Sequence, residues 1–231
     1  MYDRNMDTRV DKSSKKIEKM FDDISPFYDM MNNLISLNTH KIIKKSALKR
    51  LKIKNGSKIL DLCCGSGDLA FLIQKMYPDC EIIGVDFSSK MLEIAQRKNI
   101  NKKIKFLNAN AQNLPFEDNS FDYIVSSFGL RNVHHIDKVI FEIKRVLKEK
   151  GQFLHIDFGE KNFFNKIFDL IVLIFGKIFH KHQEHYKYLI DSKKEFYLPK
   201  NLISKFNESN FKLKTRKDYI FSVISSQIFE K

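Results

Sequence analysis

The sequence predicts a doubly wound α/β fold, in which a mostly parallel sheet is covered by helices on both faces. Between residues 58 and 157, short runs rich in β-branched and aromatic residues alternate with helix-length amphipathic segments, the pattern of crossover connections. These runs are mostly apolar and not strictly alternating, as expected of strands that are buried on both faces. The predicted strands here are "KILDL", "EIIGVD", "IKFLNA", "FDYIVSS" and "QFLHID".

The 231 residues of the chain suit a single domain. We expect four parts: a helical flank (1–54), a ligand-binding core (55–160), a segment containing an apolar helix (161–198), and a terminal helix with two last strands (199–231). Pro26 is expected to interrupt the helices of the flank, because proline lacks the amide proton that a helix interior requires.

Composition narrows the class of protein. Hydrophobic residues make up 43% of the chain and charged residues 30%, which is typical of a globular protein. The net charge of +13 comes mainly from lysine, whereas nucleic-acid recognition favours arginine, so coding bias is a serious alternative and nucleic acid is not a favoured partner. The N-terminus lacks a signal-peptide core and the apolar run "LIVLIFG" is too short to span a bilayer. We expect a cytoplasmic protein, or one of the mitochondrial matrix.

The three cysteines predict neither a disulfide framework nor a metal site. Cys63 and Cys64 are adjacent, which disulfide geometry rarely tolerates, and Cys80 stands alone. We expect small buried residues in a reducing compartment.

Histidines recur near the apolar helix, but without cysteines or carboxylates at ligand spacing. Solvated surface is favoured over a metal centre, and no metal is predicted. The histidines concerned are His134, His135, His180, His182 and His185.

The stretch "LDLCCGSGDLA" has the layout of a nucleotide-binding strand–loop–helix turn. Gly65, Ser66 and Gly67 follow the strand, and glycine lets a ligand approach the backbone closely. Asp61 lies inside the strand and would repel a pyrophosphate. A cationic ligand removes this conflict, which favours S-adenosylmethionine, whose amino group can bind near Asp61.

A second acid strengthens this interpretation. Asp86 ends the next strand, 19 residues after Gly67, close to the spacing of an acid that binds ribose hydroxyls. The alternative is that Asp61 only bonds backbone and that Asp86 caps the following helix.

Four pieces of the sequence resemble the ubiquinone and menaquinone biosynthesis C-methyltransferases, a class I family that uses S-adenosylmethionine. They are "MFDDISPFYDMMNNLIS", "LDLCCGSGDLA", "NANAQNLPFEDNSFDYIVSSFGLRNV" and "YKYLIDSKKEF". The resemblance implies seven strands with an antiparallel last strand. The segment "FSVISSQIFEK" departs from it, since it lacks the glycines usual there.

The resemblance also implies a site and a reaction. The reaction is C-methylation of a polyprenyl hydroquinone, either demethylmenaquinol or 2-methoxy-6-polyprenyl-1,4-benzoquinol. Arg131 and Asn132 follow the fourth strand, at the carboxyl ends where ligands of α/β sheets bind, and Arg131 would stabilise the phenolate there electrostatically. Tyr28, as the family pattern suggests, would complete a lid over the ring. The cofactor contacts that the resemblance implies are Gly65, Ser66, Gly67, Asp86, Asn110, Ala111 and Ser127, and the charge argument above adds Asp61.

Alternatives stay open for two of these residues and for the activity. Arg131 could instead pair with Asp137 or Glu142, and Tyr28 could belong to the core. Other interpretations are a methyltransferase for another small molecule, an RNA methyltransferase, and a binding protein that retains only the fold.

Residues 162–180 carry apolar side chains at helical spacing. The segment could form a groove for the polyprenyl tail or a face resting on an anionic membrane. It could equally be a homodimer or core helix.

Overall fold

The computed structural model describes residues 14–178 and 183–231. Within them, a seven-stranded sheet runs in the order β3-β2-β1-β4-β5-β7-β6. The fold prediction is thereby confirmed. The strands are β1 (Lys58–Leu62), β2 (Glu81–Asp86), β3 (Ile104–Asn108), β4 (Phe121–Ser127), β5 (Leu147–Phe158), β6 (Lys212–Tyr219) and β7 (Ile224–Glu230).

The first five strands are parallel, and β7 runs antiparallel between β5 and β6. The antiparallel last strand is therefore confirmed, although its segment lacks the expected glycines. Strand β1 pairs with β2 on one side and β4 on the other, so the strand order reverses at β1. Ligands of open α/β sheets bind at the carboxyl ends of the strands beside such a reversal.

Helices cover both faces, and their limits follow local signals. Pro26 lies in a 3-10 turn, Ser25–Phe27, that separates the first two helices. Pro199 begins the last helix, where its missing amide proton costs nothing. The helices are α1 (Ser14–Ile24), α2 (Tyr28–Ile35), α3 (Thr39–Leu51), α4 (Asp68–Met76), α5 (Ser89–Lys98), α6 (Ile136–Val146), α7 (Phe163–Ile178), α8 (Gln183–Glu195) and α9 (Pro199–Glu208).

Two apolar clusters, one on each face, hold the sheet between its helices. Leu60 and Leu62 of β1 belong to the cluster that includes α6 and α9, whereas Ile59 belongs to the cluster that includes α3 and α4. Burial of each such side chain contributes about 1.5 to 3 kcal/mol. The short strand is thus fixed on both sides, which positions the loop that follows it.

Helices α7 and α8 pack on each other through Val172, Tyr186 and Ile190, with Met31 and Ile35 of α2 against this small cluster. A 3-10 turn, Leu130–Asn132, contacts α8. In the part of the chain that the model describes, no helix combines the length and hydropathy needed to cross a bilayer.

Candidate active site

A cavity of about 320 Å³ opens at the carboxyl ends of β1, β2 and β4. One end, called the loop end here, is formed by Asp61, residues 63–66, Asp86 and residues 109–112. The other, called the arginine end, is formed by Arg131, Asn132 and Tyr188. Ligand sites of small enzymes have volumes of this order.

The loop after β1 reverses direction through three residues with positive φ, namely Cys63 (59°), Gly65 (54°) and Gly67 (82°). A Cβ atom at Gly67 would lie 2.8 Å from the Phe71 ring and 2.9 Å from the Phe106 ring. Gly67 is therefore required both by conformation and by space. At Gly65 the nearest atom would be in the Tyr28 ring, 4.0 Å away, so there the conformation alone favours glycine.

Asp61 is buried in β1, and its Oδ2 has no hydrogen-bond partner among the described residues. Burial raises the pKa of Asp61 to about 8, which the charge of Lys44 and a bond from the Ala70 backbone partly oppose. A cation reaching the free oxygen would offset the cost of ionising this carboxyl. The local electrostatics therefore suit the positively charged ligand that the sequence indicates.

Asp86 also faces the cavity, and burial raises its pKa. Its Oδ2 accepts a hydrogen bond from Gly65 N at 2.7 Å, and its Oδ1 accepts one from Ser88 N at 2.9 Å. The N-cap of α5 is Ser88, whose Oγ accepts a bond from Met91 N. Asp86 is therefore not the cap of that helix, and its carboxylate is held rigidly against the glycine loop.

The remaining predicted residues of the loop end also line the cavity. Asn110 Oδ1 accepts a bond from Gln112 N at 2.9 Å, which shapes the turn after β3. Ala111 is buried, and Ser127 Oγ is a buried polar atom without a partner in the described parts of the chain. The sheet thus brings four separate segments together at one end of the cavity.

Ser66 is tied to the helical flank. Its hydroxyl donates to Asp29 Oδ1 at 2.5 Å, and Lys98 pairs with the same carboxylate. A second tie joins Ser88 Oγ to Asp22 Oδ1 at 2.6 Å. Helices α1 and α2 are thereby held over the loop end. The sequence reasoning missed Asp22 and Asp29, although both lie in a quoted motif.

Tyr28 begins α2 and lines the cavity beside the glycine loop. Its ring lies 6.1 Å from that of Phe21, edge to face. The residue is half-buried and forms part of the wall. The structure thus places Tyr28 at the loop end of the cavity.

Arg131 is almost completely buried, with 6% exposure. Its NH1 group donates to the Phe128 carbonyl and lies 3.5 Å from Asp157 Oδ1. Its guanidinium lies over the Phe128 and Phe158 rings, 5.8 and 5.4 Å from their centroids. These contacts hold a permanent positive charge at one end of the cavity.

The acidic partners considered for Arg131 from sequence were wrong. Asp137 pairs with Lys205 at 2.5 Å, and Glu142 pairs with Arg145 at 2.7 Å. The carboxylate beside Arg131 is instead Asp157 in β5. The sequence did not predict the contact between Asp157 and Arg131, because the spacing of residues along the chain does not show which strands are neighbours.

Asn132 is bound by a residue that sequence reasoning did not select. Tyr188 OH donates to Asn132 Oδ1 at 2.9 Å, and burial raises the pKa of the Tyr188 phenol. Tyr188 lies in the quoted "YKYLIDSKKEF" piece, so the motif could have suggested it. Helix α8 therefore supplies one wall of the arginine end.

The paired cysteines fill space behind the loop. Cys64 is buried, Cys63 is half-buried, and both are free thiols. Burial raises the pKa of each thiol, so neither is activated as a nucleophile.

Within residues 14–178 and 183–231, no three His, Cys, Asp or Glu side chains are placed to hold a metal. The rings of His134 and His135 lie 4.1 Å apart. His180 and His182 fall outside the described residues, as does the side chain of His185.

The loop end fits S-adenosylmethionine, because a free buried carboxylate oxygen, a rigid second acid and a close-approach backbone meet in one cavity. With its seven-stranded sheet, the protein is a class I S-adenosylmethionine-dependent methyltransferase. The chain belongs to the ubiE/COQ5 methyltransferase family, whose model matches residues 9–231.

Similar proteins agree with this assignment. A demethylmenaquinone methyltransferase of Listeria monocytogenes is 36% identical over 212 residues, covering 87% of this chain and 90% of its own. One of Staphylococcus saprophyticus is 38% identical over 212 residues, covering 87% and 91%.

Solved structures share the fold at low identity. A chain from the complex of the Haloferax volcanii Trm112 methyltransferase activator with a methyltransferase has a TM-score of 0.72 and 19% identity, covering 91% of this chain and 96% of its own. An Aquifex aeolicus S-adenosylmethionine-dependent methyltransferase has a TM-score of 0.63 and 17% identity, covering 94% and 98%.

Proposed function

We propose that the protein C-methylates a polyprenyl hydroquinone, with demethylmenaquinol as the first candidate acceptor. The observation that carries the proposal is the continuous cavity that joins the loop end to a buried arginine. The printed activity of the relatives, demethylmenaquinone methyltransferase, supports this acceptor. A benzoquinol is the second candidate.

At the loop end, each residue has a proposed part in holding S-adenosylmethionine, which supplies the methyl group when bound. Asp61 binds the ammonium group, and Asp86 accepts bonds from the ribose hydroxyls. The glycine loop lets the backbone lie close to the ligand. The turn formed by Asn110 and Ala111 frames the adenine, while Ser66 and Ser127 complete the wall.

At the arginine end, the proposed role of Arg131 is electrostatic. A phenol has a pKa near about 10, and a fixed guanidinium beside its oxygen stabilises the phenolate. The phenolate places electron density on the adjacent ring carbon, which becomes the nucleophile. Asn132 and Tyr188 orient the ring through their shared hydrogen-bonded pair.

The helical flank has a proposed role in excluding water. The ties from Asp22 and Asp29 hold α1 and α2 over the loop end, and Tyr28 closes the wall there. A dry cavity strengthens the interaction of Arg131 with the developing anion.

Helix α7 is the proposed contact for the membrane in which a polyprenyl acceptor dissolves. Its outer face exposes Phe163 (70%) and Leu170 (57%), and Phe221 (71%) continues the patch. Exposed Lys161 and Lys166 lie on the same segment and suit anionic headgroups. Residues 161–198 would thus form an accessory segment of a single domain.

Vesicle co-sedimentation tests this contact. We expect binding to anionic vesicles that Leu170→Glu abolishes, whereas Ile100→Glu, an equally apolar exposed residue distant in sequence from α7, leaves it intact. A dimer that Leu170→Glu dissociates, without vesicle binding, would assign α7 to a homodimer interface instead.

The acceptor is tested with labelled S-adenosylmethionine and three acceptors: reduced demethylmenaquinone, the reduced benzoquinol precursor, and an unrelated catechol. We expect ring-carbon labelling of the first. Labelling of the catechol alone would favour a methyltransferase for another small molecule. An exposed-site variant, Asp79→Asn, serves as the control for protein handling.

A further inference from the structure

Behind Arg131, on the side away from the cavity, lies a buried pair of polar side chains, His155 and Asp157. Asp157 is 1% exposed and His155 is 2% exposed, two residues apart on β5. Asp157 Oδ1 accepts from Phe158 N at 2.8 Å and faces Arg131. Asp157 Oδ2 and His155 Nε2 have no hydrogen-bond partner in the described residues, and they lie 3.9 Å apart.

A chain of side-chain hydrogen bonds across three neighbouring strands determines which ring nitrogen of His155 carries the proton. Asp218 faces Ser225, and Gln227 faces His155, across neighbouring strands. Ser225 Oγ donates to the Asp218 carboxylate at 2.6 Å, so it must accept from Gln227 Nε2, 2.8 Å away. Gln227 Oε1 therefore faces His155 Nδ1 at 2.8 Å and accepts its proton.

The neutral imidazole consequently presents a bare Nε2 to a bare carboxylate oxygen. These two buried acceptors lie 3.9 Å apart and have no partner among the described residues, so a proton added to Nε2 would draw them together into a charge-assisted hydrogen bond. Arg131 adjoins Asp157 from the cavity side, and Tyr188 is near enough for the Asp157 charge to raise the pKa of its phenol. The pair thus borders the arginine end of the cavity.

We propose that His155 and Asp157 act as positioning residues for Arg131 during methylation, and that a proton added to His155 Nε2 draws the Asp157 carboxylate away from the guanidinium. The inference rests on the proposed function. The O–H bond of the acceptor breaks, its electron pair stays on the oxygen beside Arg131, and the proton leaves for solvent. The methylated ring carbon later loses its own proton and the hydroxyl is restored. One proton in net leaves for solvent.

The groups that face His155 set the pH dependence. Burial lowers the pKa of the imidazole, and the Arg131 charge lowers it further, while the Asp157 charge and the Gln227 bond oppose this. Ser126 of β4 lies beside it in register and carries no charge. Because its pKa is lowered, His155 is neutral at pH 7, and turnover should fall only as the pH drops below the ordinary histidine value of about 6.5.

The first test is His155→Asn, whose amide keeps the bond to Gln227 but offers nothing at Nε2. We expect kcat to fall about tenfold or more, as when a catalytic group is slightly misplaced, with both KM values unchanged and the acid limb of the pH profile displaced or lost. Tyr123→Phe removes one polar atom from a buried β4 residue and should leave the profile unchanged. An unaltered profile in His155→Asn overturns the inference.

A second measurement does not depend on the variant folding or on turnover. In uniformly ¹⁵N-histidine-labelled wild-type protein, we expect one buried ring protonated at Nδ1 and bare at Nε2 at pH 7, with a titration below pH 6.5. A ring protonated at Nε2, or one that does not titrate, contradicts the inference. Absence of methyl transfer by the wild type to either quinol would instead count against the proposed function.

Discussion

The two ends of the cavity are built differently. The loop end consists of main chain and carboxylates held at adjacent strand ends, with Asp61 and the glycine loop within seven consecutive residues. The arginine end draws Arg131 and Tyr188 from segments 57 residues apart, and Asp157, which faces Arg131 from behind, comes from a third segment. A contiguous motif fixes the cofactor half of such an enzyme, whereas the acceptor half depends on packing between distant segments.

The largest effect is expected where the backbone itself forms the site. Gly67→Ala introduces a Cβ that meets the Phe71 and Phe106 rings, and the residue keeps a positive φ. We therefore expect the free energy of unfolding to fall by about 2 to 4 kcal/mol. Gly56→Ala is the matched control, since φ is 73° there with nothing within 4 Å. Chemical denaturation of both variants measures the difference, and equal losses would show that crowding at the loop is unimportant.

The next effect concerns Asp86, a carboxylate that binds the loop and is proposed to bind the cofactor. Asp86→Ala removes the acceptor of the Gly65 and Ser88 amides, and we expect cofactor affinity to fall about 100-fold, as for two charge-assisted hydrogen bonds. Titration calorimetry with S-adenosylhomocysteine measures it, and Asp79→Asn is the control. Retained affinity would remove Asp86 from the site.

Asp61 should couple cofactor binding to pH. Its pKa is raised to about 8, so the free protein holds a proton there that an ammonium group displaces. We expect affinity to rise by up to about tenfold per pH unit between pH 6 and 8 and then to level off. Asp61→Asn should abolish the slope. A wild-type affinity that is flat over this range would contradict the role.

The raised pKa of Asp61 also affects how the free energy of unfolding depends on pH. An acid whose pKa is raised on folding destabilises the folded state as pH rises from its unfolded value to its folded one, here from 3.8 to about 8. Asp61→Asn should therefore gain stability relative to the wild type as pH rises through this window, even though it binds cofactor less well.

The smallest effect is expected at the arginine end. Tyr188→Phe removes the bond to Asn132, so we expect kcat/KM for the quinol to fall about fivefold, as for one neutral hydrogen bond. Cofactor affinity should not change. A parallel loss of cofactor affinity would show that the two ends are not independent.

The sequence predicted those features of the structure that depend on residues close together in the chain. Strand runs of apolar residues and a strand–glycine–helix turn predicted both the sheet and the loop end. The partner of Arg131 could not be predicted, because Asp157 reaches it through strand pairing and the turn after β4. Tyr188 likewise reaches Asn132 only because α8 packs against that turn. Neither contact leaves a spacing signature.

The division of the cavity is tested most directly by a single-turnover experiment on Arg131→Ala preloaded with labelled S-adenosylmethionine. We expect stoichiometric cofactor binding at wild-type affinity and transfer to reduced demethylmenaquinone slowed about 100-fold or more, as when a fixed charge is removed from a developing anion. If Arg131→Ala is unstable because it leaves the Asp157 carboxylate buried and unpaired, the same measurement is made on the double variant Arg131→Ala/Asp157→Asn, which also removes that carboxylate. Transfer at the wild-type rate, or loss of cofactor binding, would contradict the account.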